Sequence, residues 1–135
     1  MKRIILLIIL IILSSCDPGV VNRFVVENRT ESNIKIESIL EYGRRNISDK
    51  DSVKTVVLKP NSEYLIVEYG EIGTAKDKGV DFLEGIDTIM IEKDNGILNK
   101  NIFNRKNWDF KILKSGLLKM DEVEYKIILT ERDFK

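Results

Sequence analysis

The pattern of hydrophobic and polar positions divides the chain into a uniformly apolar opening run and a long remainder whose dominant period is two. Within the remainder, Phe24 and Val26, then Ile34 and Ile36, alternate with polar neighbours, and the connection "ENRTESN" between them is rich in turn formers. These predict the first two strands. "SVKTVVL" and "YLIVEY" are β-branched and aromatic runs separated by "KPNSE", where Pro60 presets a turn and Asn61 and Ser62 can bond their own backbone, so they are expected as a hairpin. "IDTIMIE" predicts a further strand, followed by Asn95-Gly96, whose tolerance of positive φ suits a tight turn into a partner around residues 97–103.

Trp108, Phe110 and Ile112 line one face of "WDFKIL", and "KSG" breaks the chain after it. The last run, "EVEYKIILT", alternates most cleanly: Val123, Tyr125, Ile127 and Leu129 face one way, Glu122, Glu124, Lys126 and Thr130 the other. The nearest approach to an amphipathic helix is "KGVDFLEG", short and bounded by glycines. Alternating short strands with regular turn signals predict an all-β fold, an antiparallel two-sheet sandwich of about seven or eight strands, immunoglobulin-like or related, with a small closed barrel as the alternative.

The opening run changes the picture. Ile4 to Leu13 are ten consecutive aliphatic residues preceded by Lys2 and Arg3 and followed by Ser14 and Ser15. A spanning helix needs about 20 apolar residues, so this run is read as an export signal with small residues at the cut. The single cysteine of the chain, Cys16, comes next. The sequence L-S-S-C, with Leu13 at the third position before the cysteine and Ser15 just before it, resembles the lipobox of bacterial lipoproteins. That resemblance implies a diacylglyceryl group on the Cys16 thiol and cleavage before it. The expected organisation is a signal peptide over 1–15, a lipidated Cys16 with a short tether over 16–20, and one domain over 21–135. Because one acyl chain anchors only marginally, the two or three chains of a lipoprotein make release from the membrane slow. The expected location is the cell envelope, with the outer membrane favoured over the inner.

The ending "YKIILTERDF" is similar to the tail of many small lipoproteins of Bacteroidota, a loose pattern Y-x-I/F-x-I/L-T-x-x-D-F/Y behind a strand opened by Trp. The matching positions are Tyr125, Ile127, Leu129, Thr130, Asp133 and Phe134, with Trp108 upstream. The resemblance implies a β-sandwich and carries over no catalytic residue.

Composition narrows the chemistry. The chain balances 22 Lys and Arg against 22 Asp and Glu, and without Lys2 and Arg3 the mature part stands at 20 against 22, a formal charge of −2. That balance implies no basic face and no nucleic-acid partner. With Cys16 taken by lipid no thiol remains for a disulfide or a nucleophile, and there is no histidine to act as general base or metal ligand. No cofactor is expected.

The remaining candidates are sparse. Glu122 and Glu124 share a strand face and are the one pair placed for carboxylate acid–base work, against the plainer reading of a solvated outer face. Asp77 and Asp81 in "AKDKGVD" are too few, and too close to lysines, for a calcium loop. "GEIGTAK" lacks the spacing of a phosphate cradle. "DSV" and "DTI" resemble the D-S/T-aliphatic acceptors of O-glycosylation in exported Bacteroidota proteins, which makes Ser52 and Thr88 possible attachment sites. Two long connections could bind an acidic partner or a glycan: "YGRRNISDKD", with Arg44 and Arg45, and the glycine-rich stretch from Gly70 to Gly85. The expectation is a non-enzymatic, lipid-anchored binding or structural module with an envelope protein or glycan as partner. The alternatives are a periplasmic inhibitor or immunity-type protein and, third, a carboxylate-based envelope hydrolase.

Overall fold

The computed structural model describes residues 18–40, 52–83, 86–94, 96–116 and 119–135. Among them are eight strands: β1 (Gly19–Asn28), β2 (Ile34–Leu40), β3 (Ser52–Leu58), β4 (Ser62–Ile72), β5 (Ile86–Lys93), β6 (Gly96–Ile97), β7 (Asp109–Lys114) and β8 (Asp121–Leu129). They form two four-stranded sheets, ordered β4-β1-β8-β7 and β3-β2-β5-β6. The chain is an all-β sandwich, as its period-two pattern predicts. β1 starts at Gly19, inside the stretch expected as tether.

Pairing is antiparallel except between β1 and β8, which run parallel and bring the first and last strands together with Phe24 opposite Tyr125. An immunoglobulin constant domain sets its first two strands side by side in one sheet. Here β1 and β2 lie in opposite sheets, and the order of strands is therefore different.

The "ENRTESN" connection makes that crossing. Asn28 is fully buried, and its amide nitrogen donates to the carbonyls of Ser32 (2.9 Å) and Leu58 (3.1 Å). Its side-chain oxygen accepts from the backbone N–H (2.9 Å) and the hydroxyl (2.7 Å) of Thr30. One asparagine thus ties β1, the crossing and the end of β3 together, with both amide hydrogens and both oxygen lone pairs used, as a buried amide requires.

Two expected hairpins resolve differently. β3 and β4 do not pair: Lys59, Pro60 and Asn61 carry the chain from one sheet to the other, Asn61 adopts φ 53° and its N–H donates to the Asn28 carbonyl at 2.7 Å. The reason is that each strand already has a partner, β2 for β3 and β1 for β4, and each must bury its own apolar face. At the second turn the positive φ falls on Asp94 (45°), and Gly96 is already paired with Lys93. Glycine at 96 serves close approach, since a Cβ there would lie 2.9 Å from the Lys93 carbonyl oxygen. The partner strand is correspondingly short, Gly96–Ile97, rather than running to residue 103.

The end of the chain closes the edge so left. Thr130 and Asp133 form a reciprocal capping box around a single 3₁₀ turn, Glu131–Asp133, and the tail then bonds back to Ile97 through Lys135. Phe134 packs against the core. The T-x-x-D-F ending noted in the sequence is therefore a crossing from β8 to the edge of the other sheet.

Candidate functional site

Two expected site positions fall on described strands. Ser52 opens β3, its backbone opposite Leu40, and Thr88 sits half-buried on β5 opposite Ile39. Cys16, Arg44 and Arg45 lie outside the described residues.

Glu122 and Glu124 share the outer face of the first sheet, as their spacing predicts, but that face is a ladder of opposite charges. Across it run Glu68 on β4, Arg23 on β1, Glu122 on β8 and Lys114 on β7; Arg23 lies 3.9 Å from Glu68 and donates to Glu122 at 2.8 Å, and Lys114 takes the other Glu122 oxygen. Lys126 spans Glu63 (2.6 Å) and Glu124 (3.7 Å). Alternating signs on neighbouring strands are the stabilising cross-strand arrangement. Hydrogen bonds from Lys114 and then Arg23 hold the Glu122 carboxyl below its ordinary range. A general acid needs the opposite displacement, a carboxyl raised by burial, so Glu122 is arranged for structure.

The glycine-rich connection, read above as a possible binding stretch, gives residues 70–72 to the end of β4 and is fastened over the side of the sandwich in the rest of its described part, residues 73–83. Phe82 is fully buried, the Lys78 N–H donates to the Tyr125 hydroxyl at 2.9 Å, and the Ala75 N–H donates to Asp121 at 2.8 Å. Asp77, weighed above as a calcium ligand, instead takes a bidentate pair from Arg105, at 2.8 and 2.7 Å. Hydrogen bonding to Arg105 lowers its pKa. Among the described residues no group of acidic side chains is placed to hold a metal ion.

Arg105 is the residue the sequence reading missed. Its guanidinium lies 5.1 Å from the Tyr125 ring centre and 5.8 Å from those of Phe82 and Phe110, and it also donates to the Trp108 carbonyl. Beneath it Phe24 stacks on Tyr125 at 5.1 Å, and Trp108 meets Phe82 edge-on at 5.6 Å while donating its indole N–H to the Ile102 carbonyl at 2.7 Å. A cation over several rings stabilises a core directly, and an Arg–carboxylate fork keeps that cation neutralised. No local motif announces it, because Asp77 and Arg105 belong to different connections.

The outer face of the second sheet is of another kind. Val53 (55% exposed), Val57 (62%) and Met90 (46%) stand on it beside Thr55, Ile39 and Thr88. On β2 between them lie Lys35, opposite Val57 and Glu92, and Glu37, opposite Thr55 and Met90, and these line a shallow depression with Met90 and Glu92. β3, which carries both valines, is an edge strand paired on one side by β2. An exposed apolar patch with a polar rim is the surface type that marks an interaction site. Comparisons with protein-family models, with curated proteins and with solved structures find no match to this chain.

Proposed function

We propose that this protein is a lipid-anchored cell-envelope module that acts by binding and performs no catalysis, and that its partner surface is the outer face of β3, β2 and β5. The anchor rests on the apolar run and the L-S-S-C ending at Cys16. The observation that carries the binding surface is the contrast between the two outer faces: the first is crossed by a ladder of ion pairs, while the second has one charged group, Lys35 with Glu37 and Glu92, and leaves Val53, Val57 and Met90 in water. Such a face suits a protein partner that presents apolar residues to the valines and Met90 together with polar groups for Lys35, Glu37 and Glu92, which lie among them.

The test is capture from detergent-solubilised envelope with the tethered protein as bait, comparing the natural chain with a Val57→Lys, Met90→Lys double variant. Both side chains are exposed, so the fold should survive with a stability change of no more than about 0.5 kcal/mol. Loss of a partner that the natural chain retains, insensitive to added salt, supports the surface, because apolar contacts respond little to screening. A partner retained equally by both baits removes it.

A further inference from the structure

Three strand ends meet at one end of the sandwich: β1 starts there, β4 finishes there with Ile72 opposite Gly19, and β8 starts there with Asp121 opposite Val20. The connection after β4 is tied to the incoming chain by the Gly73 N–H, which donates to the Pro18 carbonyl at 2.8 Å. Two large apolar side chains project at this corner, Ile72 at 78% and Met120 at 56% exposure. The Met120 side chain lies across Gly19 and Gly70, where a Cβ would sit 3.3 Å and 3.5 Å from its terminal methyl. Lys119 and Lys76 are exposed nearby, on the connections that Asp121 and its bond from the Ala75 N–H bring to the same end.

From these positions we infer that this end of the domain is seated on the lipid bilayer, with Ile72 and Met120 entering the headgroup layer and Lys119 and Lys76 facing lipid phosphates. The inference rests on the anchoring reading above and adds an orientation to it. The reason is the length of the tether. Cys16 precedes Gly19 by three residues, and three residues span at most about 10 Å. The headgroup region on each side of the bilayer is itself about 5 to 8 Å thick, so a domain held at Cys16 keeps this corner within a few ångström of its outer edge even when the tether is fully extended. Apolar side chains that would otherwise stay in water then gain a site at the boundary of headgroups and acyl chains, and the long lysine stems can lie along it with their ammonium groups at the phosphates.

The test uses the full chain, processed in its host, purified and reconstituted into phosphatidylcholine–phosphatidylglycerol vesicles carrying a nitroxide at the headgroup. A fluorophore is attached at Gly116→Cys, where a Cβ meets no atom within 4 Å, or at the exposed Lys59→Cys in the crossing at the far end. The unsubstituted chain, which takes no label when Cys16 carries lipid, reports on the anchor separately. The expected result is loss of most of the emission at 116 with little change at 59, and recovery of the 116 emission in an Ile72→Glu, Met120→Glu background whose melting curve is unchanged. A chain that floats with the vesicles but shows equal quenching at both ends, or none at 116, overturns the seat and leaves the anchor standing. A chain that stays in the aqueous fraction with Cys16 open to label overturns the anchor, and the seat falls with it.

Discussion

The two sheets of this sandwich solve the same problem with different materials. The inner face of β4-β1-β8-β7 buries an aromatic cluster beside its own aliphatics Val26, Ile66, Val123, Ile127 and Leu129: Phe24 stacks on Tyr69 and Tyr125, Trp108 and Phe82 meet them edge-on or tilted, and Arg105 lies over the group. The inner face of β3-β2-β5-β6 is aliphatic, with Ile34, Ile36, Leu58, Ile86, Ile89 and Ile91 buried. Outside, the contrast reverses, charges covering the first sheet and exposed valines and a methionine standing on the second. A sheet held by directional ring contacts inside and ion pairs outside has little surface left to offer. The other is packed inside by shape alone, without rings, and leaves two valines and a methionine exposed beside its Lys35, Glu37 and Glu92 group, and that difference is what makes it the candidate for contact with a partner.

Removing the centre of the aromatic side should have the largest effect. Trp108→Ala removes a buried ring and leaves the Ile102 carbonyl without its donor, and should cost about 3 to 5 kcal/mol in denaturant unfolding. A loss under about 1 kcal/mol would mean that the rings share no common core and would undo the contrast between the inner faces.

Arg105→Met keeps the apolar bulk and removes the cation. It should cost about 1 to 2 kcal/mol near neutrality, the range for a partly desolvated cation over rings with its carboxylate partner. Because the folded pKa of Asp77 is depressed, its contribution is present above its ordinary value of 3.8 and is lost as pH falls through the lower folded value. The gap between natural and variant stabilities should therefore narrow as the solution is acidified below 3.8. A gap independent of pH would assign the whole effect to packing.

The aliphatic side has its own irregularity. Ser38, fully buried on β2, has a hydroxyl with no hydrogen-bond partner among the described residues. An unmade bond of this kind costs about 1 to 3 kcal/mol, and Ser38→Ala removes the group while opening little space, so it should raise stability by about 1 kcal/mol. A destabilised variant would show that the hydroxyl finds a partner, and the second sheet would then not be held by shape alone.

Much of the architecture was legible along the chain because a strand with one buried face must alternate, and β8 shows it from residue 122 to 127: Val123, Tyr125 and Ile127 are fully buried, as is Leu129 beyond, and Glu122, Glu124 and Lys126 are half-buried. What alternation cannot tell is which strand lies beside which. β3 and β4 have the pattern and the turn residues of a hairpin, yet they belong to different sheets, because the buried Asn28 holds the end of β3 against the end of β1 and both strands pair elsewhere. The same limit applied to the candidate site. Glu122 and Glu124 were visible as a pair, while Arg23, which pairs with Glu122, comes from a strand remote in sequence.

The sequence by itself determined the class of fold and the apolar, cysteine-ended start from which the anchoring proposal comes, since both are local: a period of two over each strand, and a run of ten aliphatic residues closed by L-S-S-C. Only the tertiary structure decided that the glycine-rich connection is fastened down in its described part, that Arg105 sits over three rings, and that Val53, Val57 and Met90 share one open face. Periodicity fixes which side of a strand is apolar, a property of neighbouring residues. Which apolar sides are covered depends on how many strands compete for the same core, and that is settled only when all of them pack at once.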